Sequence, residues 1–316
     1  MVLCLLGPLF AGPPAGPSPF GPDEVVLILH ADDLGMCHSM NAAGVEALRA
    51  GAVSSASVMV STPWFPEMAE IARSHPEWDL GIHLTFTSEW EGYRWRPLTG
   101  RSPESGLLDP SGYYWKTLAD VRDHASKSEM EDEMRAQIER ALRAGLRPTH
   151  LDSHMGTVFS KPAFIESYVR LAAEYKIPCM LPKATPDLLE RLKVRQSDHY
   201  TEEQLPWLHP PFAVVDRLHM DGVRGRTVEE RRKGYHDLLR GLKPGVNVII
   251  VHLAARGDEI EAILPRYAPE WCADLDIFID PGTLQLIRDL NIRLIGWKDL
   301  SPLLGHYLGS SPGGCR

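Results

Sequence analysis

The chain has 316 residues, a length that allows either two ordinary domains or one large α/β barrel. Its 44% hydrophobic and 24% charged residues are typical of a folded globular protein, and no run approaches about 18 consecutive apolar residues, which argues against a membrane-spanning helix. The net charge of −9 disfavours a nucleic-acid-binding protein, because such a protein needs a basic face.

The two ends of the chain differ in composition from the rest. An apolar stretch, Met1–Ala11, is followed by a Pro- and Gly-rich stretch, Gly12–Gly21, and no Lys or Arg precedes Arg49. A secretory signal would carry a basic residue ahead of its apolar run. We therefore expect residues 1–22 to be a disordered extension, with export as the weaker alternative, and residues 305–316 to be a disordered tail. No linker divides residues 23–304, which favours a single domain.

Cysteine usage indicates the redox compartment. The five cysteines lie far apart and include no CxxC pair, so neither a disulfide framework nor a thiolate zinc site is indicated. Reduced thiols fit a cytoplasmic protein.

Apolar, β-branched runs recur along the chain and predict strands. Several are continuous rather than alternating, which is typical of buried parallel strands. The eight runs are Val25–His30, Ser57–Ser61, Leu80–Leu84, Thr149–Asp152, Pro178–Leu181, Phe212–Asp216, Val246–Leu253 and Ile292–Gly296.

Helical periodicity fills many of the intervals between these runs. Pro162 marks a first helical turn, and capping boxes are expected at Ser128 with Glu131 and at Thr227 with Glu230. Strands that alternate with helices over about 250 residues predict an α/β fold, a distorted (β/α) TIM-like barrel of about seven or eight parallel strands.

Chemically active side chains collect at the ends of four predicted strands, which is where a barrel carries its active site. The first strand ends in Asp32 and Asp33, the third contains His83, the fourth is followed by His154, and the seventh contains His252. One carboxylate and two imidazoles from three strand ends form an open three-ligand site for a divalent metal, zinc by preference. The paired aspartates allow one to bind the metal while the other accepts a proton from water, and His252 is free to act as an acid.

Three motifs resemble the YdjC/ChbG family of carbohydrate deacetylases: HADDLG, GIHLTFTSEW and PTHLDSHMGT, in that order. The resemblance runs from about Val25 to Leu300. It implies a distorted (β/α) barrel and metal-dependent removal of N-acetyl groups from acetylated amino sugars. Carried over to this chain, it implies Asp33, His83 and His154 as metal ligands, Asp32 as the base and His252 as the acid.

Further residues near these motifs are candidates for substrate binding. They are His38, which also fits a helix start; Asp152, which alternatively orients an imidazole; and Trp90 and Arg94 of the long, aperiodic segment Thr87–Trp115. Loops of that length in a compact domain are often functional. We expect this one to shape a sugar site rather than the fold, with an aromatic plug over the barrel as the alternative.

The sequence thus predicts a cytoplasmic hydrolase with one divalent metal ion, zinc first and magnesium, manganese or cobalt as alternatives. Its expected partner is a neutral N-acetylated mono- or oligosaccharide, since an acidic protein gives no help with anionic polymers. Neither nucleic acid nor a membrane is expected as a partner, and a homodimer is compatible with the sequence. Two rival functions stay open: a metal-dependent barrel phosphodiesterase or amidohydrolase, and a non-catalytic sugar-binding barrel.

Overall fold

A computed structural model of the chain describes residues 20–99, 102, 104–182, 189–190, 192, 214–220 and 222–300. Within these ranges the strands are β1 (Val25–Leu34), β2 (Ser55–Val58), β3 (Leu80–Leu84), β4 (Leu151–Ser153), β5 (Leu181–Pro182), β6 (Val214–Val215), β7 (Arg217–His219), β8 (Gly245–Val251) and β9 (Arg293–Leu294). The predicted extension 1–22 lies outside the described residues except for 20–22, and the tail 305–316 lies outside them entirely.

Helices occupy most of the connections between these strands. In the described ranges they are α1 (His38–Arg49), α2 (Phe65–Ser74), α3 (Leu118–His124), α4 (Lys127–Arg143), α5 (Pro162–Tyr175), α6 (Val228–Gly241), α7 (Asp258–Ile263), α8 (Ala268–Phe278) and α9 (Pro281–Asp289). Two 3₁₀ helices cover His154–Ser160 and Trp297–Leu300. None of the helices in this part of the chain is both long and apolar enough to cross a membrane.

Most strands join one curled, half-barrel sheet in the order β4-β3-β2-β1-β8-β7, with β9 beside β1. All of its pairings are parallel. Nine of the ten residues of β1 are buried, as the continuous apolar run predicts. The α/β class and the parallel sheet are therefore as the sequence predicts.

The other edge of the sheet is joined more sparsely. β5 pairs with β6 as a separate two-stranded sheet, and a single bridge between Leu151 and Cys179 connects β4 to the residues before β5. Residues 212–213 of the predicted sixth strand lie outside the described ranges. A complete barrel of seven or eight strands thus stays a prediction.

The helix caps correct one local expectation. The capping box of α4 forms at Ser126 and Glu129, two residues before the predicted Ser128 and Glu131. Both pairs satisfy the same S-x-x-E spacing, and Glu129 is also held by the hydroxyl of Ser105, which the local pattern does not show. The predicted box at Thr227 and Glu230 is confirmed at the start of α6.

Candidate metal centre

Asp32 and Asp33 lie where β1 departs from regular pairing. The register between β1 and β2 shifts between Ala31 and Leu34, and Asp33 adopts a left-handed backbone with φ of 67°. Neighbours in a regular strand point to opposite faces, so both carboxylates could not face one point without this irregularity. Here Asp33 Oδ1 lies 3.2 Å and Asp32 Oδ2 lies 3.8 Å from His83 Nε2.

The structure brings the three predicted ligands together from three strand ends. His154 Nδ1 lies 3.0 Å from Asp33 Oδ1 and 3.3 Å from His83 Nε2, which itself lies 3.2 Å from Asp33 Oδ1. All three side chains are buried. They form a compact triangle of one oxygen and two nitrogens that could hold a metal ion.

The dimensions of this triangle fit a zinc-like ion. Bonds of about 2.0–2.1 Å in a tetrahedron place neighbouring ligand atoms about 3.3 Å apart. The separations of 3.0, 3.2 and 3.3 Å match that spacing with little movement. Three protein ligands leave a fourth position for water or substrate, as in catalytic zinc sites.

His83 is oriented from behind by Asp152. The two residues are register partners on β3 and β4, and His83 Nδ1 lies 2.7 Å from Asp152 Oδ1. A hydrogen bond at Nδ1 fixes the ring and leaves Nε2 as the electron-pair donor, which is the usual support for a metal-binding histidine. Asp152 is buried and engages imidazoles through both oxygens, so the geometry favours its orienting role over direct contact with substrate.

His154 is oriented in the opposite sense. It begins the 3₁₀ helix after β4, and its Nε2 lies 3.0 Å from Glu89 Oε1, so Nδ1 faces the triangle. Glu89 follows β3 and belongs to the GIHLTFTSEW motif. Apart from that position, nothing in the sequence indicates that it orients His154. Its other oxygen, Oε2, is buried and has no hydrogen-bond partner within the described ranges.

The side chains of the triangle stabilise one another's charged forms. Burial opposes ionisation of Asp33, but the neighbouring His154, His83 and His252 outweigh it and hold its pKa well below the usual range. Burial likewise opposes protonation of His154, whose pKa the charges of Glu89 and Asp33 nevertheless raise to about 10. The pKa of His83 is raised well above its ordinary value against burial, chiefly by Asp152 and Asp32.

These raised pKa values predict that metal binding expels protons. The pKa of His154 is raised to about 10 and that of His83 is also raised, whereas a metal ligand must be neutral, so affinity should rise as the pH increases from 7. Calorimetric titration with zinc at pH 8 in buffers of different ionisation enthalpy should show that binding releases protons. A binding enthalpy that does not vary with the buffer would contradict this expectation.

Asp32 is held beside the metal triangle by one oxygen. Its Oδ1 lies 3.1 Å from His30 Nε2 and accepts a hydrogen bond from the Ser57 hydroxyl at 3.3 Å, while Oδ2 faces His83. Burial opposes the charge on His30, but hydrogen bonds to Asp152 and Asp32 raise its pKa to about 9. One anchored oxygen and one directed at the centre suit a proton acceptor.

His252 lies next to the second carboxylate oxygen of Asp33, Oδ2. It directly follows β8, its Nε2 lies 3.5 Å from Asp33 Oδ2, and its side chain is 31% exposed. The ring stacks on Trp271 of α8 at a centroid distance of 4.8 Å. This contact fixes the plane of a partly open imidazole, and nothing in the sequence pattern connects Trp271 to the site.

The remaining predicted substrate-binding residues differ in their surroundings. Trp90 packs edge-on against Tyr267 and Trp271, next to His252, and its buried Nε1 has no hydrogen-bond partner in the described part of the chain. His38 is exposed at the start of α1 and pairs with Glu67 at 2.8 Å. Arg94 is held within its loop by Asp109, at 2.9 Å, and by other loop groups. Contact of His38, Trp90 and Arg94 with substrate stays a prediction.

The segment Thr87–Trp115 contains a tryptophan that is part of the core, and its role in a sugar site stays a prediction. Trp95 is 3% exposed and donates from Nε1 to the carbonyl of Thr87, so we expect Trp95→Ala to lower the free energy of unfolding by about 3–5 kcal/mol. Trp90→Ala should instead raise KM with a smaller effect on stability. Thermal melts and steady-state kinetics separate the two, and equal destabilisation by both would make the whole loop a plug.

Comparisons with known proteins find relatives over most of the chain. The family model described as YdjC-like protein matches residues 26–289. A carbohydrate deacetylase from Thermus thermophilus is 36% identical over 247 residues, which cover 78% of this chain and 82% of that protein. A carbohydrate deacetylase from Thermoanaerobacter pseudethanolicus is 26% identical over 274 residues, covering 87% of this chain and 98% of that protein.

A solved structure supports the fold. The crystal structure of an Enterococcus faecalis protein, provisionally described as a cellobiose-phosphate cleavage protein, superposes with a TM-score of 0.69 at 22% identity. The match covers 88% of this chain and 99% of that one. Together, the family match over most of the chain and the 36% identical relative establish that the chain belongs to the YdjC-like family.

Proposed function

We propose that this protein is a metal-dependent hydrolase that removes N-acetyl groups from acetylated amino sugars. The observation that carries the proposal is the triangle of Asp33, His83 and His154, with Asp32 next to His83 and His252 next to Asp33. Relatives named carbohydrate deacetylases supply the reaction class. The amide bond of an acetamido group is stable, and its hydrolysis needs both an activated water and a protonated leaving group.

The metal would be held by Asp33 Oδ1, His83 Nε2 and His154 Nδ1. When bound, a divalent ion supplies Lewis-acid polarisation of a carbonyl and lowers the pKa of water toward about 7. Zinc suits the mixed oxygen and nitrogen ligands best, with magnesium, manganese and cobalt as alternatives.

The protein's own groups would move the protons. Asp32 accepts a proton from the attacking water through Oδ2, while His30 and Ser57 hold Oδ1. His252 then donates a proton to the sugar nitrogen as the carbon–nitrogen bond breaks, which yields acetate and a free amine. The contact of His252 Nε2 with Asp33 Oδ2 and that of Asp32 Oδ2 with His83 Nε2 support separate groups for the acid and the base.

The surroundings of the centre favour an uncharged sugar. Glu89 lies directly against the ligand His154, and the chain carries a net charge of −9, so an anionic substrate would be repelled. A neutral mono- or oligosaccharide avoids this repulsion.

Acetate release tests the proposal. The purified protein, stripped of metal and reloaded with zinc, magnesium, manganese or cobalt, is assayed against monomeric and oligomeric acetamido sugars. We expect acetate and a new primary amine in equal amounts, and only with metal. Release of phosphate from phosphodiesters instead would support the rival hydrolase, and tight sugar binding without turnover would support a non-catalytic sugar-binding protein.

A further inference from the structure

His30 is a buried histidine of β1 that presents one ring nitrogen to two carboxylates. Its Nε2 lies 2.9 Å from Asp152 Oδ2 and 3.1 Å from Asp32 Oδ1, and its Nδ1 lies 3.0 Å from Ser55 Oγ. The residue is 1% exposed, so the ring is shielded from bulk water. An imidazole nitrogen between two carboxylates serves as their shared hydrogen-bond donor.

The two carboxylates have different tasks in the proposed reaction. Asp152 orients the metal ligand His83 through its other oxygen, at 2.7 Å, whereas Asp32 is the proton acceptor. They come from β4 and β1, which β2 and β3 separate in the sheet. Because two buried carboxylates repel one another, a hydrogen-bond donor between them holds both in place.

We propose that His30 is a positioning residue that ties the proton acceptor Asp32 to Asp152, and through Asp152 to the metal ligand His83. This buried imidazole then fixes the position of the base Asp32 relative to the metal ligand His83. The assignment rests on the proposed function for the role of Asp32, and it adds a residue whose work is done without touching metal or substrate. Without His30, Asp32 Oδ1 keeps only the longer contact with Ser57 and Asp152 Oδ2 loses its closest partner.

Substitutions at His30 should separate positioning from packing. His30→Leu removes the donor, and we expect kcat to fall about 10- to 100-fold and zinc affinity to fall about 10-fold, with KM within about twofold of the parent. His30→Gln restores an amide N–H donor, but its flexible chain does not place it as the ring places Nε2, so it should recover part of each loss. A residue that only fills space would not be rescued by glutamine in preference to leucine.

A double-mutant cycle tests the link itself. Asp152→Asn and His30→Leu should each weaken zinc binding, but together they should cost less than the sum of the two, because both break the same connection. His219→Gln on β7 is the control for loss of a histidine elsewhere in the sheet and should leave zinc affinity near that of the parent. Circular dichroism melts identify any variant that fails to fold. If His30→Leu does not fold, His30→Gln replaces it in the cycle.

The outcomes decide the two proposals separately. Unaltered zinc affinity and kcat in folded His30 variants, or strictly additive losses in the cycle, would overturn the positioning role. A parent protein that releases no acetate from any acetamido sugar would overturn the deacetylase assignment. Zinc affinity in the cycle still decides the role of His30 in that case, because it needs no turnover.

Discussion

The double variant His83→Ala, His154→Ala is expected to purify without its metal ion and without measurable acetate release. Each imidazole supplies one corner of the ligand triangle, and Asp33 alone cannot hold a divalent ion against water. Polarisation by a metal contributes several kcal/mol to such reactions, so its loss corresponds to a fall of at least about 10³-fold in kcat. Elemental analysis gives the metal stoichiometry, and a coupled acetate assay gives the rate.

Matched controls exclude a general effect of losing histidines. His75 and His124 lie outside the centre, where His75 contacts Glu77 and His124 contacts the carbonyl of Asp120. The variant His75→Ala, His124→Ala should therefore bind metal and turn over like the parent. Full stoichiometric metal in the His83, His154 double variant would show that the ligand assignment is wrong.

The sequence located strands best where the apolar run is long, and it located β2 less well. The runs that became β1, β3 and β8 are mostly apolar and almost entirely buried. For β2 the sequence predicts Ser57–Ser61, but the strand is Ser55–Val58. Its first and third residues, Ser55 and Ser57, contact His30 and Asp32, and such polar positions do not stand out as a hydrophobic run.

Tertiary contacts also interrupt the sixth predicted run. Asp216 separates β6 from β7, and its carboxylate accepts the backbone N–H of Val246 at 3.0 Å. The two short strands accordingly pair with different neighbours, β5 on one side and β8 on the other. No local pattern around residues 214–219 encodes that division.

The candidate ligands follow from the sequence because strand ends of a parallel sheet meet at one edge, and motif resemblance assigns them individually. Of the groups that orient them, the sequence suggests only Asp152, which contacts His83. Glu89 contacts His154 from the loop after β3, and Trp271 contacts His252 from helix α8. Asp33 adopts a left-handed backbone, which turns both aspartates toward His83. The neighbouring residues in the sequence do not indicate this conformation.

Substituting the proton-moving residues should leave the metal bound and remove turnover. Asp32→Asn keeps the size and the contacts of the carboxylate but cannot accept a proton from water, and His252→Ala removes the acid. General acid–base groups contribute about 10²–10⁴-fold, so kcat should fall by that factor in each variant. Elemental analysis should find about one metal ion per chain in both, because neither side chain belongs to the ligand triangle.

Two further readouts distinguish the base from the acid. The alkaline limb of the pH–rate profile should flatten in His252→Ala, since that limb reports loss of the proton that the leaving amine needs. His75→Ala again serves as the control and should keep the parent profile. An Asp32→Asn protein without metal would mean that the two aspartates exchange roles, although the geometry speaks against it: Asp33 approaches both imidazoles to within 3.2 Å, whereas Asp32 stays 3.8 Å from His83. A His252→Ala protein with kcat near that of the parent would leave His252 as a packing partner of Trp271 and assign protonation of the amine to water.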